Sequence, residues 1–154
     1  MKVRVIILCL LFAVGNVSGQ IKSGQFIENL VGNWVSTESV NHTVIIKRDN
    51  NILLITETTA EETGKPYVIE SKIYLDGRLQ KDGLKQSATE ARTVVSNSNL
   101  ITTYYGVKDG KTKELFKERL SIKNGNLILA AQVKIGVPFL SAGTKQVFQK
   151  STNQ

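Results

Sequence analysis

From Trp34 to Lys150 the chain alternates between short runs rich in Val, Ile, Thr and Tyr and small clusters of turn-forming residues. The runs Trp34–Glu38, Thr43–Arg48, Ile52–Thr58, Tyr67–Leu75, Thr89–Val95, Leu100–Val107, Lys113–Ile122, Asn126–Lys134 and Gln146–Lys150 have the β-branched and aromatic content of strands. Between them lie Asp76-Gly77, Asp82-Gly83, Asp109-Gly110 and Asn124-Gly125. Such pairs suit tight hairpins, because both central residues of a type I′ turn need positive φ. The near-regular spacing predicts nine or ten strands in an antiparallel up-and-down meander. Helical signal is confined to Ser23–Leu30, where Ser23 can cap a short turn and Phe26, Ile27 and Leu30 fall at helical spacing.

An all-β meander without helical cover has to bury its sheet against itself. Closure into an 8–10-stranded barrel does this and removes the sheet edges; a flattened sandwich is the alternative, and the barrel is favoured. Alternation then assigns faces. Tyr67, Ile69, Ser71, Ile73 and Leu75 point one way, against Glu70 and Lys72. Leu127, Leu129, Ala131 and Val133 share a second face. After Asp109-Gly110, strict alternation puts Glu114, Phe116, Glu118, Leu120 and Ile122 inside, and Lys111, Lys113, Lys117, Arg119 and Lys123 outside.

The first residues have a different pattern. Lys2 and Arg4 precede an uncharged apolar run, Val5 to Val14, which Gly15 and Asn16 break. The run is shorter than the roughly 20 residues needed to span a bilayer, and it has the layout of a secretory signal peptide. Val17 and Gly19 stand at −3 and −1 to a cut before Gln20, so residues 1–19 are expected to be removed and 20–154 to form a single barrel domain. Cys9 lies inside the apolar run rather than at a cleavage point, so no lipid anchor and no stable membrane anchor is expected. The mature chain would carry no cysteine, and losing Lys2 and Arg4 would take the formal charge of +7 to +5. An exported protein, periplasmic or extracellular (secreted), is the expectation.

Within Phe26-Ile27-Glu28-Asn29-Leu30-Val31-Gly32-Asn33-Trp34, a helical turn leads through Gly-x-Trp into the first strand. This resembles the opening of lipocalins and their calycin relatives, in which the Trp plugs the closed barrel end. The hairpins at Tyr74-Leu75-Asp76-Gly77 and Asp109-Gly110-Lys111, with the ending Val147-Phe148-Gln149-Lys150, resemble the small bacterial exported lipocalin-like domains. The resemblance covers about Phe26 to Lys150 and implies a lipocalin-like fold and a small hydrophobic or amphipathic ligand in the barrel interior. It departs from the family in three ways. No C-terminal helix or disulfide is apparent, Trp34 runs almost directly into Thr43 without a helical lid, and the closing strand offers Lys145 and Gln146 where an Arg commonly faces the Trp.

On this reading Trp34 closes the floor, and Ile69, Ile73, Phe116, Leu120, Leu127 and Leu129 supply apolar wall. Glu118, with Tyr67 or Tyr104, supplies polar contacts. A buried Glu118 could equally be a paired structural charge, with Arg92 its expected partner, and the aromatic residues could fill the core instead of lining a pocket. Glu114 is expected on the same inward face, nearer the hairpin. His42, the single histidine, is expected in a solvated turn, where Asn41-His42-Thr43 would accept N-glycosylation in a eukaryotic host. The basic stripe Lys111, Lys113, Lys117, Arg119 and Lys123 is read as a solvated outer face, or in the alternative as the binding face of an interaction module for an anionic surface. Nucleic acid is disfavoured because aromatic residues do not interleave with the basic ones. No phosphate loop, dinucleotide fingerprint, metal-ligand spacing or nucleophile elbow occurs, so no cofactor, no metal and no enzymatic activity is expected.

Overall fold

The structure is a computed structural model and describes residues 17–60, 64–85, 87–134 and 144–152, with side chains from residue 24 onward. The expected signal segment lies outside these residues up to position 16. A helix, α1 (Val17–Leu30), leads into ten strands: β1 (Gly32–Ser36), β2 (His42–Asp49), β3 (Ile52–Thr59), β4 (Tyr67–Tyr74), β5 (Leu79–Gln80), β6 (Glu90–Ser96), β7 (Asn99–Lys108), β8 (Lys111–Lys123), β9 (Asn126–Val133) and β10 (Lys145–Lys150). The helix is longer than the expected turn. Its Phe26, Ile27 and Leu30, three and four residues apart, form one buried stripe. The hairpins at Asp109-Gly110 and Asn124-Gly125 have positive φ at both residues, as type I′ turns require.

All strand pairs are antiparallel, in the order β4-β3-β2-β1-β10-β9-β8-β7-β6-β5. β1 hydrogen-bonds to β2 on one side and to β10 on the other, joining the two halves of the chain and bending the sheet into a nearly closed barrel. The remaining seam lies between β4 and the β5–β6 side. There the Lys72 amide donates to Gly83 O at 2.9 Å, and the buried Gln80 side chain donates from Nε2 to Lys72 O at 2.6 Å. A strap of chain, Lys81 to Lys85, thus runs along the free edge of β4 where a ladder would otherwise stand. On its outer side Asp82 accepts from Tyr74 Oη and pairs with Lys72.

The barrel core divides along its axis. At one end α1 packs onto Trp34, Val44, Ile46, Leu53, Ile73, Leu100, Leu120 and Leu127 in a continuous apolar cluster. Trp34 is 2% exposed, and its Nε1 donates to Leu30 O at 3.0 Å, so the indole is buried without an unpaired donor. Lys150, its β10 partner, extends over Gly32 and brings Nζ 5.5 Å from the indole centroid. A cation does face the Trp, but it comes from Lys150 rather than from Lys145. Gly32 has φ +145°, and a Cβ there would meet Lys150 Cε at 2.8 Å, so both backbone and packing call for glycine.

The strict alternation expected for β8 fails at one residue. Tyr104 pairs with Phe116 but Tyr105 pairs with Glu114, leaving Leu115 as the extra residue of a β-bulge. Leu115 and Phe116 are therefore both buried in succession. Glu114 is moved off the inward face and pairs with Lys117 at 3.4 Å, an i,i+3 contact between residues that the bulge brings to one face. The same shift divides the basic stripe. Lys117, Arg119 and Lys123 stay on the outer face, whereas Lys113 stands opposite Gly106, and Lys111 opposite Lys108, on the other parity.

Candidate functional site

Away from the apolar end, polar inward positions stand beside a second, smaller buried cluster of Ala91, Tyr104, Leu115 and Phe116. Glu57 follows Leu53 and Ile55 on the inward face of β3, and Glu118 precedes Leu120 on that of β8. β2, β1, β10 and β9 separate these strands on one side, so the two carboxylates face each other from opposite walls. Lys85, on the strap, reaches between them. Its Nζ donates to Glu118 Oε1 at 3.0 Å and to Glu57 Oε2 at 3.4 Å.

The chain of contacts continues on both sides. His42 Nε2 lies 2.9 Å from Glu57 Oε1, and the imidazole edge meets Phe148 with centroids 5.0 Å apart. Tyr104 Oη donates to Glu118 Oε2 at 3.3 Å, and its ring stacks on Phe116 at 4.4 Å. His42, Glu57, Lys85, Glu118 and Tyr104 thus form one network across the lumen. One level away, Thr93 and Thr102 share a hydrogen bond of 2.9 Å, while Ser71 Oγ is buried with no partner among the described residues.

The electrostatics are mutually reinforcing. Burial disfavours the charged form of Lys85, but Glu118 and Glu57 outweigh it and raise its pKa. Burial works against the Glu57 carboxylate, yet the His42 bond and the Lys85 charge hold it below the usual range. Burial and the adjacent Glu118 charge push the Tyr104 phenol well up, so it acts as a donor throughout the ordinary pH range. This arrangement fixes charge in place and can orient a polar group entering the lumen. No group of three or more metal-ligating side chains is placed to hold a metal among the described residues.

The residues expected from sequence fall into three places. Trp34, Ile73, Leu120, Leu127 and Leu129 belong to the packed apolar end. Tyr104, Phe116 and Glu118 come together in the polar half, with Ile69 half-buried at the register position of Glu57. Tyr67 shares that inward parity but stands at the end of β4 and is 58% exposed, so it is not a wall residue in this state. Arg92 is exposed and does not reach Glu118; Lys85 takes the place expected for it. His42 is half-buried on a strand and bonded, rather than solvated in a turn. Sequence reasoning missed Glu57, although its spacing from Leu53 and Ile55 already put it on their face.

A groove of about 510 Å³ opens on the outer wall, lined by Ile101, Lys117, Arg119, Ala130, Gln132 and Lys145 among others, with Glu118 of the lumen network also at its border. It gathers three cationic side chains, and of the basic stripe only Lys117 and Arg119 contribute to it.

No family model matches the sequence, and no curated protein matches it either. Solved structures do match in fold. A mutant of the fluorescent protein UnaG superposes with TM-score 0.57 at 13% identity, over 82% of this chain and 99% of that one. Lipid binding protein 8 of Caenorhabditis elegans, in its apo form, gives 0.55 at 16% identity over 80% and 96%. Fatty-acid-binding protein 1 of Echinococcus granulosus gives 0.55 at 14% over 80% and 98%. The chain therefore has the lipocalin-like, calycin-type barrel fold of these proteins.

Proposed function

We propose that the protein binds a small amphipathic molecule in the polar half of its lumen and does so after export from the cell that makes it. The observation that carries this reading is the Glu57–Lys85–Glu118 bridge. The apolar end is packed by side chains, whereas this level is spanned by charged groups held from opposite walls, with Tyr104 and Phe116 beside them. Few convergent polar groups against aromatic surface are what fix a ligand's orientation. The names of two fold relatives, a lipid binding protein and a fatty-acid-binding protein, support binding rather than turnover. Native mass spectrometry of the purified protein, with displacement of an environment-sensitive lipophilic probe, tests it. A retained molecule or saturable displacement is expected; the absence of both overturns the reading. Export rests on Lys2, Arg4 and the Val5–Val14 run, and the mass of the mature chain, expected to begin at Gln20, checks it.

The outer groove supports a second reading, as an interaction module for an anionic surface, because Lys117, Arg119 and Lys145 converge there. Charge reversal at Lys117 and Arg119 should abolish binding to anionic vesicles or acidic glycans while leaving the fold intact. Unchanged binding would remove this reading.

A further inference from the structure

The lumen already contains a ligand-like group. Lys85 comes from the strap rather than from the barrel wall, and its ammonium occupies a cradle made by carboxylates of two opposite strands. We propose that this cradle selects organic cations, so that a protonated amine with an apolar body binds in the lumen by taking the place of the Lys85 ammonium between Glu57 and Glu118. The inference rests on the lumen-binding reading above and names its ligand class.

Four observations support it. Charge comes first: with His42 counted as neutral, the cluster of Glu57, Glu118 and Lys85 is formally one unit negative, in a chain whose total formal charge is +7. Exchanging one ammonium for another leaves that balance unchanged, whereas a carboxylate would add a third anion to a poorly solvated space. Second, Tyr104 and Phe116, buried and stacked on one another at 4.4 Å, stand beside Glu118, so an amine that displaced the Lys85 side chain would meet aromatic surface there. Third, Ser71 is 4% exposed, and its buried Oγ, on the inward face of β4, has no partner among the described residues, so it can accept from an N–H the present arrangement does not supply. It lies one inward step along β4 from Ile69, the register partner of Glu57. Fourth, the strap that carries Lys85 is not part of the barrel wall. It is fastened to β4 by the Lys72–Gly83 and Gln80–Lys72 bonds and by the contacts of Asp82 with Tyr74 and Lys72, not by a continuous ladder, so its displacement breaks a countable set of bonds.

The test titrates the full-length mature protein with three probes of equal chain length, dodecylammonium, dodecanol and dodecanoate, each below its micelle concentration, by calorimetry and native mass spectrometry. Dodecylammonium should bind at least about tenfold more tightly than dodecanol, and dodecanoate more weakly than either. Lys85→Ala should raise dodecylammonium affinity by a further factor of about ten, because the internal competitor is gone. Glu118→Gln should erase the preference for the amine. Equal binding of all three probes, or preference for dodecanoate, overturns the cation inference and leaves lumen binding standing; binding of none overturns both. If Glu118→Gln does not fold, the Lys85→Ala affinity decides, and no gain there is a negative result.

Discussion

Gly106 on β7 and Leu115 on β8 are fitted to one another: a Cβ on Gly106 would lie 2.7 Å from Leu115 Cδ1 and 3.2 Å from Ser87 O. The bulge places Leu115 inward where the facing strand has no side chain. Gly106→Ala should therefore cost about 1–3 kcal/mol by overpacking. Leu115→Ala in the same chain should recover part of that loss. A double-mutant cycle by denaturant unfolding measures the coupling, and additive costs would show that the two positions do not share space.

Trp34→Ala should cost about 3–5 kcal/mol, since it empties the middle of the apolar cluster and leaves Leu30 O without its donor. Trp34→Phe should lose less, mainly the hydrogen bond and part of the volume. Chemical denaturation of the three proteins should rank them in that order.

The Thr93–Thr102 pair separates hydrogen bonding from burial. Thr102→Val leaves Thr93 Oγ1 buried and unpaired, and should cost about 1–3 kcal/mol. Thr93→Val together with Thr102→Val removes both polar groups and should be nearly neutral. A double mutant as unstable as the single one would mean that packing, not polar pairing, governs this level.

Stability should form a plateau across the neutral range with limbs set by the lumen network. The folded Glu57 value lies below the unfolded one, so its contribution is present above the ordinary glutamate value of about 4.3 and is lost as pH falls through the folded value. Lys85 and Tyr104 have raised values. Their contributions are complete below about pH 10 and are lost as pH rises through the folded values. Melting temperature against pH should show a shallower acid limb for Glu57→Gln and a shallower alkaline limb for Tyr104→Phe. Parallel curves for wild type and variants would remove these groups as the source.

The barrel was legible in the sequence because a meander repeats one local rule, period-two burial between turn-forming residues, and it marks nine of the ten strands, β8 keeping it only on either side of its bulge. β5 escaped because Leu79–Gln80 is two residues long inside a turn-rich stretch. The site was half legible. Glu118, Tyr104 and Phe116 follow from alternation, and Glu57 follows from the same rule. Lys85 does not, because a strap has no periodicity and its side chain is directed by the path of the backbone along β4. Leu115 shows the other limit: one inserted residue inverts every face before it, which is why Glu114 and Lys113 changed sides.

The strap couples the wall to the lumen. Its fastening at Lys72 closes the wall, and its next turn delivers Lys85 to the lumen. Releasing the strap would unlock the wall and vacate the cradle in a single motion. Uptake should then be timed by the protein and not by the visitor: association rates would level off at one common ceiling for chemically different guests, and affinity would be written mainly in how slowly each one leaves.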